Sequence, residues 1–339
     1  MGNIILGAGH YLPAKVLTNQ FFVDKNPFYE WTPQGYDLEN PVETTDEWIQ
    51  QMMGIKERRC AAPGEEVHHM AKNALTMALE NAKLTPNDLE AVIVATVTQE
   101  NPRQFPSVAC QVQEMIGANN VGYAFDVGAA CAGYTTAMAI ADALMGKYQL
   151  GPVAVVGVER LSKMVDYKDK NSPLFGDGAG AVILQREEDP HRGIMWAKGK
   201  SNPHEGRKDW IYRDDQGKLR MPCGNQVLKE ATRELTEICR EGLSTLRTPS
   251  GGKWDDEGLL DMGIFHQANI RILEGVQKRL RLKDQQVFRN IDRYGNMSSA
   301  SAAVALSEAY EQGKIKEGSR VIMACIGSGM VTSAVAFVA

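Results

Sequence analysis

The strongest constraint on this chain is a recurring pair: a short run of Val, Ile and Ala, then a longer segment with helical spacing. The runs "NIILGAG", "LEAVIVATVT", "VAVVGVE" and "AGAVILQ" are bounded by glycine or polar turns, as strands buried on both faces are. Between them, residues 67–83 place Val67, Met70, Ala71, Ala74, Leu75, Ala78 and Leu79 at helical spacing, and 132–147 read as a second, alanine-rich helix. Strands alternating with helices need crossover connections, so the pattern predicts an α/β fold. From about residue 191 a related grammar returns. A helix at about 225–246 precedes the strand "DMGIFH"; a helix at about 269–281, the segment "VFRNI", a helix at about 298–313 and the strands "SRVIMACIG" and "TSAVAFVA" follow. Two fused, similar α/β halves, 1–190 and 191–339, are expected from this pattern, without a strong sequence repeat behind it. Residues 20–41 are aromatic and proline-rich with no clear period and read as a loop, as does the surface connection 247–258.

Composition narrows the function classes. With 339 residues, 43% of them hydrophobic and 23% charged, the chain can bury a large core. A net charge of -5 argues against a general nucleic-acid binder. The six cysteines are scattered and form no CxxC pair, which suggests neither a disulfide framework nor a zinc site and fits a reducing compartment. The start "MGNIILGAGHYLP" makes a poor signal peptide, and no apolar run approaches the roughly 18 residues that cross a bilayer. A cytoplasmic protein with no membrane partner is expected.

Within "YAFDVGAACAGYTTAMAIADAL", Cys131 is surrounded by Gly128, Ala129, Ala130, Ala132 and Gly133. If "GYAFDV" is a strand and a helix begins near Ala132, the thiol sits at a strand-to-helix turn, where the helix's positive end favours thiolate. Small neighbours permit a sharp turn and close approach of a substrate, as at a nucleophile elbow. A buried structural cysteine is the competing reading, and the one that suits the other five. Two more junctions shift the balance: His266, where "DMGIFH" meets a helix, and Asn296, in a glycine turn before another helix. Cys, His and Asn at three similar junctions supply what a nucleophilic thiol site needs.

"FDVGAACAGY", "FGDGAGA", "HQANIRI" and "RYGNMSSAS", in this order, resemble the thiolase-superfamily condensing enzymes, and most closely the β-ketoacyl-[acyl carrier protein] synthase III family. "GAGHYLPAKVLTN", "TTDEWIQQMMGIKERR", "FPSVACQVQ" and "EAYEQGKIKEGSRV" extend the resemblance over nearly the whole chain. It implies a duplicated five-layer αβαβα thiolase-like sandwich, normally a homodimer, and a decarboxylative Claisen condensation of an acyl starter with a malonyl thioester on acyl carrier protein. It further implies that Cys131 carries the acyl group and that His266 and Asn296 donate hydrogen bonds to the enolate. The backbone N–H groups of Cys131 and Ser328 would hold the tetrahedral oxyanion. Substrates would arrive as CoA or phosphopantetheine thioesters, with no further cofactor and no metal. Trp48 and Asn225 match contacts to that arm. Phe105 matches a residue that reaches into the partner's acyl pocket, although a core aromatic is an equal reading of the residue itself. Lys229 and Arg271 match basic rim positions and Lys278 with Arg279 continues a basic helix, together a carrier-docking patch, against the alternative of a solvated helix face. "FGDGAGA" lacks the Lys and Ser/Thr of a phosphate loop and is taken as a structural turn beside the site.

The chain also departs from the pattern. Met52 stands where CoA-primed members carry an arginine that sandwiches the adenine with the tryptophan, and Lys170 near a second arginine. Lysine does not replace a planar guanidinium, so CoA priming is in question. Residues 20–41 have no counterpart in compact members and are expected as a lid or a dimer contact. Three functions compete: chain initiation by condensation, an acyltransferase of secondary metabolism using the same acyl-cysteine, and a silent partner subunit. Relatives with an additional glutamate base would need Glu159 or Glu100 to approach the thiol.

Overall fold

The computed structural model describes residues 2–99, 105–203, 206, 209–256 and 259–339. Two sheets carry the fold. In the first, strands lie in the spatial order Gly2–Tyr11, Asp177–Glu187, Val153–Arg160, Ala91–Ala95, Tyr123–Val127. In the second the order is Gly193–Ser201, Val331–Val338, Arg320–Gly327, Met262–Phe265. Each sheet opens with two antiparallel pairings and continues with a parallel one. Where the first adds Tyr123–Val127 in parallel, the second has only a parallel bridge between Gly263 and Val287. The repetition that is weak in sequence is therefore plain in topology.

Helices form three layers around these sheets. Val67–Ala82 and Val108–Ile116 cover the outer face of the first sheet, and Gly224–Thr245, backed by Ile270–Leu280, covers the outer face of the second. Between the sheets lie Gly133–Tyr148 and Ser299–Glu311, one from each half. Their alanine-rich surfaces suit a layer buried on both sides: Ala137, Ala141, Ala302 and Ala305 are fully enclosed with Ile93, Val155, Ile264 and Met323 from the two sheets. Gly157 allows the close approach, because a Cβ there would come within 2.7 Å of Ser299 O. The layers are also tied by side chains, with Ser299 Oγ donating to Ala95 O at 2.9 Å and Thr135 Oγ1 to Ser333 O at 3.2 Å. The result is the αβαβα sandwich expected from the resemblance.

Three local expectations change. Residues 20–41 are not a plain loop: helix Asn19–Val23 leads to a hairpin pairing Trp31–Thr32 with Gly35–Tyr36. "FGDGAGA" begins a strand, Asp177–Glu187, rather than forming a turn. Its Asp177 is fully buried and accepts from Ser162 N, Ser162 Oγ and Ala61 N, which fixes the loops beside the site. Gly193–Ser201 is a strand that the Val, Ile and Ala runs did not mark, since its second half is exposed. No helix of the described residues is long and apolar enough to cross a membrane.

Candidate active site

The three junctions meet at one cavity of about 290 Å³, lined by Cys131, His266 and Asn296 together with Ser298, Gly327 and Ser328. Cys131 lies in the single 3-10 turn Ala130–Ala132 between strand Tyr123–Val127 and helix Gly133–Tyr148. Ala130 takes φ +45°, in the left-handed region that larger side chains resist. Opposite it, strand Arg320–Gly327 ends against the Cys131 backbone. A Cβ on Gly327 would stand 2.8 Å from Cys131 N and 2.9 Å from Ala130 Cβ. The run of small residues around Cys131 is thus explained by two backbones meeting there. A Gly327→Ala variant is expected to lose about 1–3 kcal/mol of stability through overpacking and to slow acyl transfer to Cys131; denaturant unfolding with single-turnover acylation checks both.

His266 directly follows strand Met262–Phe265 and continues its parallel ladder, donating from its N–H to Ala324 O at 3.0 Å. Gln267, fully buried, pins this turn: its Nε2 donates to Phe265 O, and its Oε1 accepts from Asn290 N. The imidazole is 2% exposed, its Nδ1 has no hydrogen-bond partner, and burial pushes its pKa down to about 4. It is therefore neutral at physiological pH, with a donor on one nitrogen and an acceptor on the other. Asn296 accepts from Ser298 N at 2.8 Å through Oδ1, which leaves Nδ2 as the end that donates.

The thiol is less acidic than the turn alone suggests. Cys131 is partly open to the cavity as a residue, yet its sulfur is packed closely enough that burial raises its pKa to about 11. A hydrogen bond with Ser298 works in the opposite direction and is outweighed, while buried Glu159 adds to the rise. Burial of the sulfur thus opposes the thiolate expected at the helix end. Alkylation of Cys131 by iodoacetamide should accelerate through neutral and mildly alkaline pH without levelling off before about 11. A plateau near neutrality would contradict it.

Glu159 stands behind the cavity wall and does not line it. It is fully buried and accepts from Thr98 Oγ1 and Ser299 Oγ, each at 2.8 Å, and from Val97 N. Glu100 lies outside the described residues. No carboxylate lines the cavity among the described residues.

The other expected residues are more dispersed. Ser328 is at the cavity, its Oγ donating to Ile211 O. Trp48 is half-buried on helix Asp46–Met53 and, like Met52, packs against an apolar cluster built from both halves, outside the cavity lining. Asn225 is exposed one residue beyond the lining Gly224. Lys229 and Arg271 are exposed beside the lining Leu228 and Ile272, on two helices at the same wall. Lys278 and Arg279 are also exposed, but they lie roughly 10 Å further along helix Ile270–Leu280, so the basic set is split. Phe105 is 70% exposed, which removes the core-aromatic reading. Sequence reasoning missed Ser298, Gln267 and Asn269. Asn269 caps Ile270–Leu280 by accepting from Arg271 N and holds Met52 O with Nδ2; its place after "HQA" was the available signal.

Two helix-backed sheets stacked about a shared helical layer, with a thiol, an imidazole and a carboxamide meeting between the halves, define a thiolase-fold enzyme. The 3-oxoacyl-[acyl-carrier-protein (ACP)] synthase III family model matches residues 125–203, and its C-terminal counterpart residues 256–338. The chain is 40% identical over 339 residues to β-ketoacyl-[acyl-carrier-protein] synthase III of Aquifex aeolicus (strain VF5), covering 99% of each. A crystal structure of 3-oxoacyl-[acyl-carrier-protein] synthase III from that organism matches with a TM-score of 0.87 at 37% identity over 100% of both chains. The priming β-ketosynthase of the R1128 polyketide biosynthetic pathway matches with a TM-score of 0.86 at 28% identity, over 99% of this chain and 96% of that one. The chain belongs to the β-ketoacyl-[acyl-carrier-protein] synthase III family.

Proposed function

We propose that the protein is a β-ketoacyl-acyl carrier protein synthase III that condenses an acyl starter with malonyl-acyl carrier protein by decarboxylation, initiating fatty acid or related biosynthesis. The observation that carries this reading is the cavity itself: a cysteine, a neutral histidine and an asparagine line it, and no described carboxylate does. Cys131 Sγ forms a bond to the thioester carbonyl carbon as the carrier's thiol leaves with the cysteine's proton, passed through the imidazole. In the second half-reaction the malonyl C–CO2 bond breaks. Loss of carbon dioxide generates the nucleophilic carbon without a base to remove a carbon-bound proton, in agreement with that lining. His266 and Asn296 donate to the enolate oxygen, the new C–C bond forms at the acyl carbonyl, and the Cys131 thiolate is released. The N–H groups of Cys131 and Ser328 hold the intermediate oxyanion. The substrates are thioesters and the chemistry uses the chain's own groups.

Carrier delivery of the starter is the favoured route. Met52 is packed among apolar side chains and Lys170 is paired with Glu30 at 2.8 Å, so neither offers a nucleotide a planar cation. Lys229 and Arg271, beside the cavity wall, suit an acidic carrier protein. The test is intact-protein mass spectrometry with acyl-CoAs and acyl-carrier proteins, followed by malonyl-carrier protein. An adduct on Cys131 discharged with carbon dioxide release supports condensation. An adduct that ignores the malonyl donor and leaves to an alcohol or amine replaces it with simple acyl transfer.

A homodimer is part of the same proposal. Tyr123–Val127 is the last strand of its sheet, and Tyr123, Tyr148, Met115 and Phe105 beside that edge are exposed apolar side chains. Such an edge favours pairing with a second copy. Sedimentation should give a dimer for the parent and a monomer for Tyr123→Glu; a monomeric parent overturns it.

A further inference from the structure

We propose that the Trp31–Tyr36 hairpin clamps the roof of the acyl cavity, making Arg220 and Trp31 positioning residues that set which acyl chains are admitted. The inference rests on the acyl-cysteine reading above. The roof is a second small hairpin, Tyr212–Arg213 paired with Leu219–Arg220, and Ile211, Tyr212, Leu219 and Met221 face the cavity from it. A ladder of two residues a side has little stability of its own in water, so its height above the thiol depends on what holds it. Side chains alternate along a strand: Leu219 and Met221 line the cavity, while Arg220 between them lies away from it and is 2% exposed. Its guanidinium donates from Nε to Asp214 Oδ2 at 2.7 Å. From Nη1 it donates to Asp166 Oδ2 at 3.1 Å and to Tyr36 OH at 2.6 Å. The Trp31 ring stacks 3.8 Å from it, and Trp31 Nε1 donates to Tyr212 OH at 3.0 Å.

The clamp is itself anchored. Tyr29 N donates to Lys168 O and Lys170 N to Tyr29 O, and Glu30 pairs with Lys170. This fastens the hairpin to the 166–171 segment, whose flanking residues Met164 and Leu174 line the cavity. Segment 27–42 is thus neither a free loop nor a cover over an open mouth; it acts on the cavity through Arg220.

The experiment compares parent, Trp31→Ala, Arg220→Met and Tyr36→Phe for the rate of Cys131 acylation by pantetheine thioesters running from acetyl to decanoyl, followed by intact mass. Tyr36→Phe removes one hydroxyl from a half-exposed ring and carries the test if the larger changes unfold the chain. The expected result is a change of about tenfold or more in the ratio of long-chain to short-chain rates, smaller for Tyr36→Phe, with iodoacetamide alkylation of Cys131 unchanged. Rates that fall by one common factor at every chain length, or an unaltered profile, overturn the clamp. If the parent forms no adduct on Cys131 with any of the series, the acyl-enzyme reading itself falls and the clamp with it.

Discussion

Cys131→Ser is expected to acylate at least about a thousandfold more slowly than the parent protein. The two side chains fill the same position in the turn between Tyr123–Val127 and Gly133–Tyr148, so the difference is chemical. A thiol raised to about 11 already supplies only a small thiolate fraction at neutral pH, and an aliphatic hydroxyl ionises far less. The nearby base cannot compensate, because an imidazole held down to about 4 is a weak proton acceptor. Time-resolved intact mass with peptide mapping reads the result. A serine variant within tenfold of the parent, or an adduct mapped elsewhere in the chain, would refute the assignment of Cys131 as nucleophile.

Asn296→Asp should separate the two half-reactions. The aspartate keeps an oxygen for Ser298 N, so the turn that places helix Ser299–Glu311 is preserved, but the donor end becomes a second oxygen. Loss of one donor to a developing oxyanion costs roughly 2.7–4 kcal/mol, or about 10²–10³ in rate. Condensation, followed by carbon dioxide release, should fall by at least that much, since a carboxylate also repels the enolate. Acylation of Cys131 should fall far less, because the proposed contacts to the acyl oxyanion are backbone groups. Equal losses in both steps would remove Asn296 from the enolate and leave it a structural turn former.

Much of this was legible in the sequence, for local reasons. The Val, Ile and Ala runs mark strands buried on both faces, and the Cys131, His266 and Asn296 junctions lie where such strands and helices meet. What the sequence did not carry depends on distant groups. The acidity of Cys131 reflects burial of the sulfur first, with Glu159 adding to the rise and Ser298 opposing it, and these distant groups are not readable from the turn. Nothing in "GKLRMP" signals that Arg220 will be buried against Trp31 and Tyr36, and strands of two residues carry no readable period. The Gly193–Ser201 strand was hidden by its solvent-facing half. Trp48 and Asn225 match family positions by motif, yet the cavity wall is made by their neighbours.

The placement of Gly133–Tyr148 and Ser299–Glu311 back to back between the sheets has a consequence for how the molecule comes apart. Ser299–Glu311, from the second half, packs over Gly2–Tyr11, Val153–Arg160 and Asp177–Glu187, while Gly133–Tyr148, from the first, packs under Arg320–Gly327 and Val331–Val338. Gly133–Tyr148 also packs on Ala91–Ala95 and Val153–Arg160 of its own sheet, so each sheet borrows part of its inner cover from the other half, and cutting the chain near residue 190 would strip both of some of it. Halves interleaved in this way are expected to melt together in one step and to resist swinging apart, so that substrates reach the buried thiol through the cavity mouth and not by separation of the two sheets.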